Sequence, residues 1–185
     1  MSTLEFVTLD TSSTHGRIAA HPVSLAEYRQ YLLAAGQPAP AGLDRIRDPH
    51  SPVVYVSQVA AREYCRWLGS QDRQAYRLPT VAELLQLAGA EGEGGVGEDL
   101  WPHTANERPE VMGARHGVYL CEWTCEFETL PNLSGGEPRI LGSVFYPPWL
   151  REGNNPKQVQ GMMLAGQGFS FVGFRVAYDS ATDRP

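Results

Sequence analysis

The sequence has little of what several classes of protein require. Its three cysteines are too few, and odd in number, for a disulfide framework. The net charge is −6 with no run of five like charges, so bulk charge attracts neither nucleic acid nor an anionic membrane. No stretch approaches the about 20 apolar residues of a membrane helix, and residues 1–10 lack the pattern of a signal peptide. We expect a cytoplasmic protein with free thiols and without nucleic-acid or membrane partners.

What is present is ordinary for a globular protein. Hydrophobic residues make up 42% and charged residues 19% of the 185 positions, which is enough for one domain with a real core. The 19 glycines and 14 prolines are spread along the chain, which indicates many turns rather than a low-complexity linker. We predict a single domain over residues 1–185, ending in a polar tail at 180–185.

Three segments predict helices. Ser24–Ala35 and Thr80–Ala88 each begin with a hydroxyl N-cap followed three residues later by glutamate, which is a capping box. Ser57–Leu68 carries a broad apolar stripe after a serine N-cap. Gly36 ends the first helix and Gly69 is expected to end the second.

The second half of the chain predicts strands separated by loops. Short apolar runs between turn residues favour strands at Gly117–Thr124, Arg139–Tyr146 and Gly173–Tyr178, and Val53–Val56 suits a strand or an extended segment. The interval 147–168 has no strong period and is expected to be a long loop. Helices first and strands later predict an α+β fold with much irregular structure.

Several blocks of sequence resemble the formylglycine-generating enzyme (sulfatase-modifying factor) family, in the family's order, over about residues 20–178. The resemblance implies a C-type-lectin-like fold with two main helices, short twisted sheets and long loops. The blocks that carry it are Pro52–Ser57 (PVVYVS), Ala60–Leu68 (AAREYCRWL) and Tyr76–Leu84 (YRLPTVAEL), with His21–Tyr28, Leu120–Thr124 (LCEWT) and Gly173–Ala177 (GFRVA).

The chain departs from this family where the family performs its chemistry. The resemblance implies an oxidase with two copper-binding cysteines in the C-terminal third, and thiolates suit Cu(I). Here the matching positions fall near Tyr146 and Arg151, and no cysteine follows Cys125. Copper is therefore not expected. Calcium is doubtful, because Val118 and Tyr119 stand where the family's calcium-binding Gly-Asn would be.

Aromatic, arginine and asparagine side chains on the long C-terminal segment are typical of a recognition surface. The alternative is that these aromatics fill the space left by the lost copper site. Two histidines near the Gly/Glu-rich segment could act as acid or base, although the five histidines form no HxH or HxxxH pair. The candidate binding residues are Phe145, Tyr146, Trp149, Arg151, Asn154, Asn155, His103 and His116.

Four charged residues stand among apolar neighbours and are expected to be structural polar ties, because buried charges need partners. The three cysteines are expected to be buried free thiols. The predicted ties are Arg77, Glu83, Glu122 and Arg175, and the thiols are Cys65, Cys121 and Cys125.

Three functions stay open from the sequence. The first is a non-oxidase binding or accessory domain for a protein or small-molecule partner, as a monomer or a homo- or hetero-oligomer. The second is a metal- or oxygen-dependent oxidoreductase of altered chemistry, which would use Tyr146, Arg151, His103, His116 or Glu122. The third is a retroelement-diversified lectin-fold binding protein. No catalytic residue is assigned, since fold alone does not give function.

Overall fold

The computed structural model describes residues 4–11, 14–88, 120–132, 137–146 and 159–179. These contain helices and strands in one mixed arrangement, which confirms the α+β class. In chain order the elements are β1 (Phe6–Thr11), β2 (Thr14–Ala19), α1 (Leu25–Ala35), a 3₁₀ turn (Leu43–Arg45), α2 (Gln58–Asp72), α3 (Val81–Leu87), β3 (Cys121–Leu130), β4 (Arg139–Phe145), β5 (Gln160–Leu164), β6 (Val172–Gly173) and β7 (Ala177–Asp179).

The strands form two small sheets. One has the order β1-β2-β7 and is antiparallel throughout. The other has the order β5-β4-β3-β6, in which only the β3/β6 pair is parallel. The expected order of helices before strands is wrong, because the β1/β2 hairpin precedes α1. Strand β7 pairs with β2, so early and late parts of the chain meet in one sheet.

The predicted capping boxes of α1 and α3 are confirmed. The Glu27 carboxylate accepts from the Ser24 backbone N–H at 2.8 Å while the Ser24 hydroxyl accepts from the Glu27 N–H. Thr80 and Glu83 repeat this arrangement at the start of α3. Each helix therefore begins one residue after its cap, and α1 ends where Gly36 takes a left-handed φ of 62°.

The predicted end of α2 at Leu68 is wrong, because the helix continues to Asp72. Gly69 lies inside the helix, where a Cβ would collide with the backbone carbonyl of Gln74 as the chain turns back. Arg73, with φ of 64°, ends the helix instead. The glycine makes room for a close approach of the backbone and does not act as a stop.

Four further predictions need correction. Val53, Val54 and Val56 are buried, but the segment joins neither sheet and is not extended throughout, because Tyr55 takes a left-handed φ of 63°. The predicted strand Gly173–Tyr178 is divided into β6 and β7, because residues 174–176 cross from one sheet to the other and accept hydrogen bonds from the last residue of β2, Ala19, and from Val23. The interval 147–168 contains β5. Strand β3 continues past Thr124 to Leu130, and residues 117–119 of its predicted range lie outside the described residues.

Two apolar clusters form the core. The larger one joins α1, α2 and the buried halves of β3 and β4, and it includes ring contacts of Tyr64 with Tyr28 and Phe174. The smaller one packs α3 against both sheets through Leu84, Leu87 and Phe145. Each fully buried large apolar side chain contributes about 1.5–3 kcal/mol. Within the described residues, no helix combines the length and the apolar character that crossing a bilayer requires.

Candidate functional site

Tyr146 stands where the family resemblance places a catalytic cysteine. Its backbone N–H donates to the Val159 carbonyl at 3.0 Å, which holds the end of β4 against β5. Its ring covers Gly161 so closely that a Cβ at that position would collide with the hydroxyl. Burial, with a smaller contribution from Cys121, raises the pKa of Tyr146. The position therefore presents a neutral phenol, packed against a glycine, in place of a thiolate.

Phe145 was expected on the candidate binding surface, and this is wrong. Its side chain is fully buried in the cluster that also contains Ile18, Leu84 and Ala177. Neighbouring side chains on a strand point to opposite faces, so Phe145 enters the core while Tyr146 faces the other way. The other candidate binding residues, Trp149, Arg151, Asn154, Asn155, His103 and His116, lie outside the described residues.

The three cysteines are free thiols within the fold. Cys65 and Cys121 are buried, and burial raises the pKa of each to about 12, with the Glu122 charge adding to the effect at Cys121. Cys125 is half-buried, and burial also raises its pKa. A thiol must lose its proton to bind a metal or attack a substrate. At neutral pH the protonated form is therefore favoured at all three positions, which weakens each thiol as a nucleophile or metal ligand.

These residues do not fit the copper that the family resemblance implies. Cu(I) prefers thiolate ligands, whereas Tyr146 offers a protonated phenol and both buried thiols hold their protons. In the described parts of the chain, no three His, Cys, Asp or Glu side chains are close enough together to hold a metal ion.

Glu122 and Arg175 form a fully buried ion pair. Arg175 Nε and Nη2 each donate to one oxygen of Glu122 at 2.7 Å, and both side chains have 0% exposure. Arg175 Nη1 also donates to the carbonyls of Ala20 at 2.8 Å and Ala19 at 3.2 Å. The pair therefore ties β3 to the end of β2 and to the segment between β6 and β7. Both carboxylate oxygens of Glu122 are thus engaged by Arg175.

Arg77 and Glu83 form a second tie nearer the surface. Two bonds of 2.8 Å join the guanidinium to the carboxylate, and Arg77 also pairs with Asp179 of β7. Burial alone would raise the pKa of Glu83, but the bonds from Arg77 and the Thr80 backbone outweigh it, and the pKa is lowered. The tie therefore fixes α3 to β7.

A bulge in β3 is held by side chains of α2. Between two paired positions, three residues of β3 stand opposite a single residue of β4. Gln58 donates to the carbonyls of Thr124 and Glu126 at 2.8 and 2.9 Å, and Arg62 donates to the carbonyl of Cys125 at 2.6 Å. The three carbonyls of the bulge thus accept from side chains of one helix, while the Cys125 backbone N–H donates to the Pro79 carbonyl at 2.8 Å.

Beyond the bulge, the sheet leaves large apolar side chains exposed next to α2. Phe127 is 53% exposed and Ile140 50%, and the register of β3 and β4 places them on the same face. Val59 of α2 is 47% exposed, and its backbone lies near that of Ile140, because the Val59 N–H donates to the Ala165 carbonyl and the Ala165 N–H donates to the Ile140 carbonyl. We name Val59, Phe127 and Ile140 the distal face. Sequence reasoning missed it because β3 was expected to end at Thr124.

Comparison with known proteins identifies the family of this chain. The family model described as the sulfatase-modifying factor enzyme 1-like domain matches residues 12–119, more than half of the chain. No curated protein sequence matches the chain.

Solved structures share the fold. PvdO from Pseudomonas aeruginosa is 17% identical with a TM-score of 0.55, and the match covers 89% of this chain and 80% of PvdO. CarF is 14% identical with a TM-score of 0.59, and the match covers 97% of this chain and 94% of CarF. At these identities the likeness concerns the fold, and it confirms the predicted C-type-lectin-like architecture. This chain therefore belongs to the sulfatase-modifying factor enzyme 1-like family.

Proposed function

We propose that this chain is a non-oxidase member of its family and acts as an accessory domain that binds a protein partner through the distal face. The observation that carries the proposal is the exposure of Val59, Phe127 and Ile140, at 47%, 53% and 50%, in neighbouring parts of α2, β3 and β4. Exposed apolar side chains that lie together mark interaction sites more often than single ones do.

The chemistry of the remaining side chains supports the non-oxidase part of the proposal. Oxygen-dependent oxidation at the family's site needs two thiolates, and no cysteine follows Cys125 in this chain. Cys65 and Cys121 are held in the core with a pKa of about 12. Glu122 could otherwise serve an altered reaction, but both of its carboxylate oxygens accept hydrogen bonds from Arg175.

The energy available at the distal face suits a recognition surface. Full burial of a large apolar side chain contributes about 1.5–3 kcal/mol, so covering three that are half exposed would contribute about 2–4 kcal/mol. The Arg62 guanidinium lies 4.8 Å from the centre of the Phe127 ring. Arginine is one of the residue types enriched among those that dominate binding energy.

The distal face is also held in place before any partner arrives. Gln58 is buried against Gly142, where a Cβ would lie only 2.7 Å from its amide. The same amide and Arg62 hold the bulge that turns Phe127 onto this face. A surface fixed in advance loses little conformational entropy on binding, so a few exposed side chains can suffice.

Photocrosslinking in the cells that produce the protein tests the binding role. A photoreactive amino acid at Ile140 should label one specific protein, and the same residue at Leu33 should not. Leu33 is the matched control because, among the residues that the structure describes, it is the most exposed large apolar side chain, at 85%, and it lies on α1. The labelled protein, once purified, should bind the Ile140→Asp variant at least about tenfold more weakly, which corresponds to 1.4 kcal/mol.

The non-oxidase part has its own assay. The purified protein, supplied with copper and oxygen, should not oxidise a cysteine-containing peptide. Turnover of the peptide would overturn this part of the proposal. Equal labelling from Ile140 and Leu33, or unchanged affinity of the Ile140→Asp variant, would overturn the assignment of the distal face.

A further inference from the structure

A cleft of about 390 Å³ lies at the opposite end of α2 from the distal face. It is bounded by the last turns of α2, by α1 and by the start of β1. The rings of Phe6, Tyr64, Trp67 and Tyr76 line it, and Glu27 and Asp72 contribute carboxylates. We name these six residues the aromatic cleft. Its volume is near the lower limit for small-molecule sites, which are about 300–1,000 Å³.

Two aromatic pairs line the aromatic cleft. Phe6 and Tyr76 are stacked with ring centres 5.9 Å apart and an interplanar angle of 16°. Tyr64 and Trp67 lie one turn apart on α2, with ring centres 5.6 Å apart. Trp67, Phe6 and Tyr76 are only half-buried, while Tyr64 is buried. Aromatic surface is thus left available to a ligand in the cleft.

Neither carboxylate of the aromatic cleft has a basic partner among the described residues. In that part of the chain, Glu27 accepts only from Ser24, and Asp72 accepts from the Tyr76 hydroxyl at 2.7 Å and the Gln74 backbone N–H at 3.1 Å. Among the described residues, neither carboxylate forms an ion pair, and none of those lining the cleft is basic. An anionic ligand is therefore disfavoured.

Asp72 lies at the C-terminal end of its helix, where a negative charge is unfavourable. It is the last residue of α2, where the helix dipole is negative and an acidic side chain costs about 0.3–1 kcal/mol. Its two hydrogen bonds hold the carboxylate beside Tyr76. A cation bound in the cleft would remove this repulsion, so the position of Asp72 itself favours a positively charged ligand.

We propose that the aromatic cleft binds a small organic cation whose ammonium group carries alkyl substituents. The negative faces of aromatic rings attract such a cation by about 0.5–2 kcal/mol, its alkyl groups pack on the same rings, and Glu27 and Asp72 supply the countercharge. The aromatic cleft is separate from the distal face. The ligand proposed for the cleft can therefore be tested, and refuted, without any effect on the proposed function.

Titration by NMR with a pair of alcohols of matched shape tests the site. Choline carries a trimethylammonium group, and 3,3-dimethylbutan-1-ol replaces that nitrogen with carbon. The readout is the indole N–H resonance of Trp67, assigned with a Trp67→Phe variant. Choline should shift this resonance in a saturable way and bind about fivefold or more tightly than the neutral alcohol.

A matched pair of charge variants completes the test. Asp72→Asn keeps the shape and an acceptor for Tyr76, and should weaken choline binding about threefold or more without lowering the melting temperature. Glu128→Gln removes one charge from an exposed position on β3 and should change nothing. Equal binding of the two alcohols, absence of a saturable shift, or unchanged choline affinity in Asp72→Asn would each overturn the proposal.

Discussion

Replacing Glu122 by glutamine should destabilise the protein strongly, although the change only replaces one carboxylate oxygen by an amide NH2 group. The variant keeps the size of the side chain and leaves the Arg175 guanidinium fully buried without its countercharge. Removing one member of a buried ion pair costs about 3–5 kcal/mol. The bonds from Arg175 to the carbonyls of Ala19 and Ala20 remain and disperse part of the charge. We therefore expect the Glu122→Gln variant to lose about 3 kcal/mol of unfolding free energy, near the lower end of that range.

Urea unfolding followed by tryptophan fluorescence measures this cost. With a slope of about 2 kcal/mol per molar urea, a loss of 3 kcal/mol lowers the midpoint by about 1.5 M. Glu128→Gln makes the same chemical change on the exposed half of the same strand and should stay within about 0.5 kcal/mol of the parent.

A double variant separates charge from packing. Replacing both Glu122 and Arg175 by methionine removes both charges and keeps apolar volume, so it should recover most of the lost stability. A loss below about 1 kcal/mol in Glu122→Gln, with an unchanged slope, would refute the view that the pair is a tightly coupled buried tie.

Three shorter predictions follow from other parts of the fold. A disulfide reagent at pH 8 should modify Cys125 slowly and should reach Cys65 and Cys121 only after the protein unfolds. Mass spectrometry of the labelled peptides measures the three rates. Rapid labelling of all three cysteines would contradict the assigned burial. Because the pKa of Glu83 is lowered, its stabilising contribution is present above the unfolded value of about 4.3 and is lost as pH falls below it, so urea midpoints of the parent and of Glu83→Gln should converge between pH 7 and pH 3. Gly69→Ala, which would usually stabilise a helix by up to about 1 kcal/mol, should lower the melting temperature because the added Cβ meets a backbone carbonyl, and a higher melting temperature would contradict that packing.

Local chemistry predicted the helix starts well. A hydroxyl N-cap and a glutamate three residues later act within one turn, so Ser24 and Thr80 could be assigned from the sequence without knowledge of the fold. The end of α2 could not be assigned in this way. Gly69 has the composition of a stop, but its role is set by Gln74, which returns across the helix only in the folded chain.

Long-range pairing limited the prediction of strands and of the site. The apolar neighbours of Glu122 and Arg175 in the sequence indicate that both charges need partners, but only the fold brings the two together. Phe145 was assigned to a surface because its neighbours are aromatic, whereas strand alternation turns it into the core. The distal face arises from a bulge that α2 holds from a distance, and no short sequence pattern encodes that contact.

The pairing of β2 with β7 has a consequence for synthesis on the ribosome. The edge of β2 that accepts β7 becomes available early, yet its partner at Ala177–Asp179 is translated more than 150 residues later. Arg175, the partner of Glu122, is likewise translated 53 residues after it. At about 5–20 residues per second, the nascent chain spends roughly ten seconds or more with an open strand edge, and any factor that shields this edge would act during translation rather than after release.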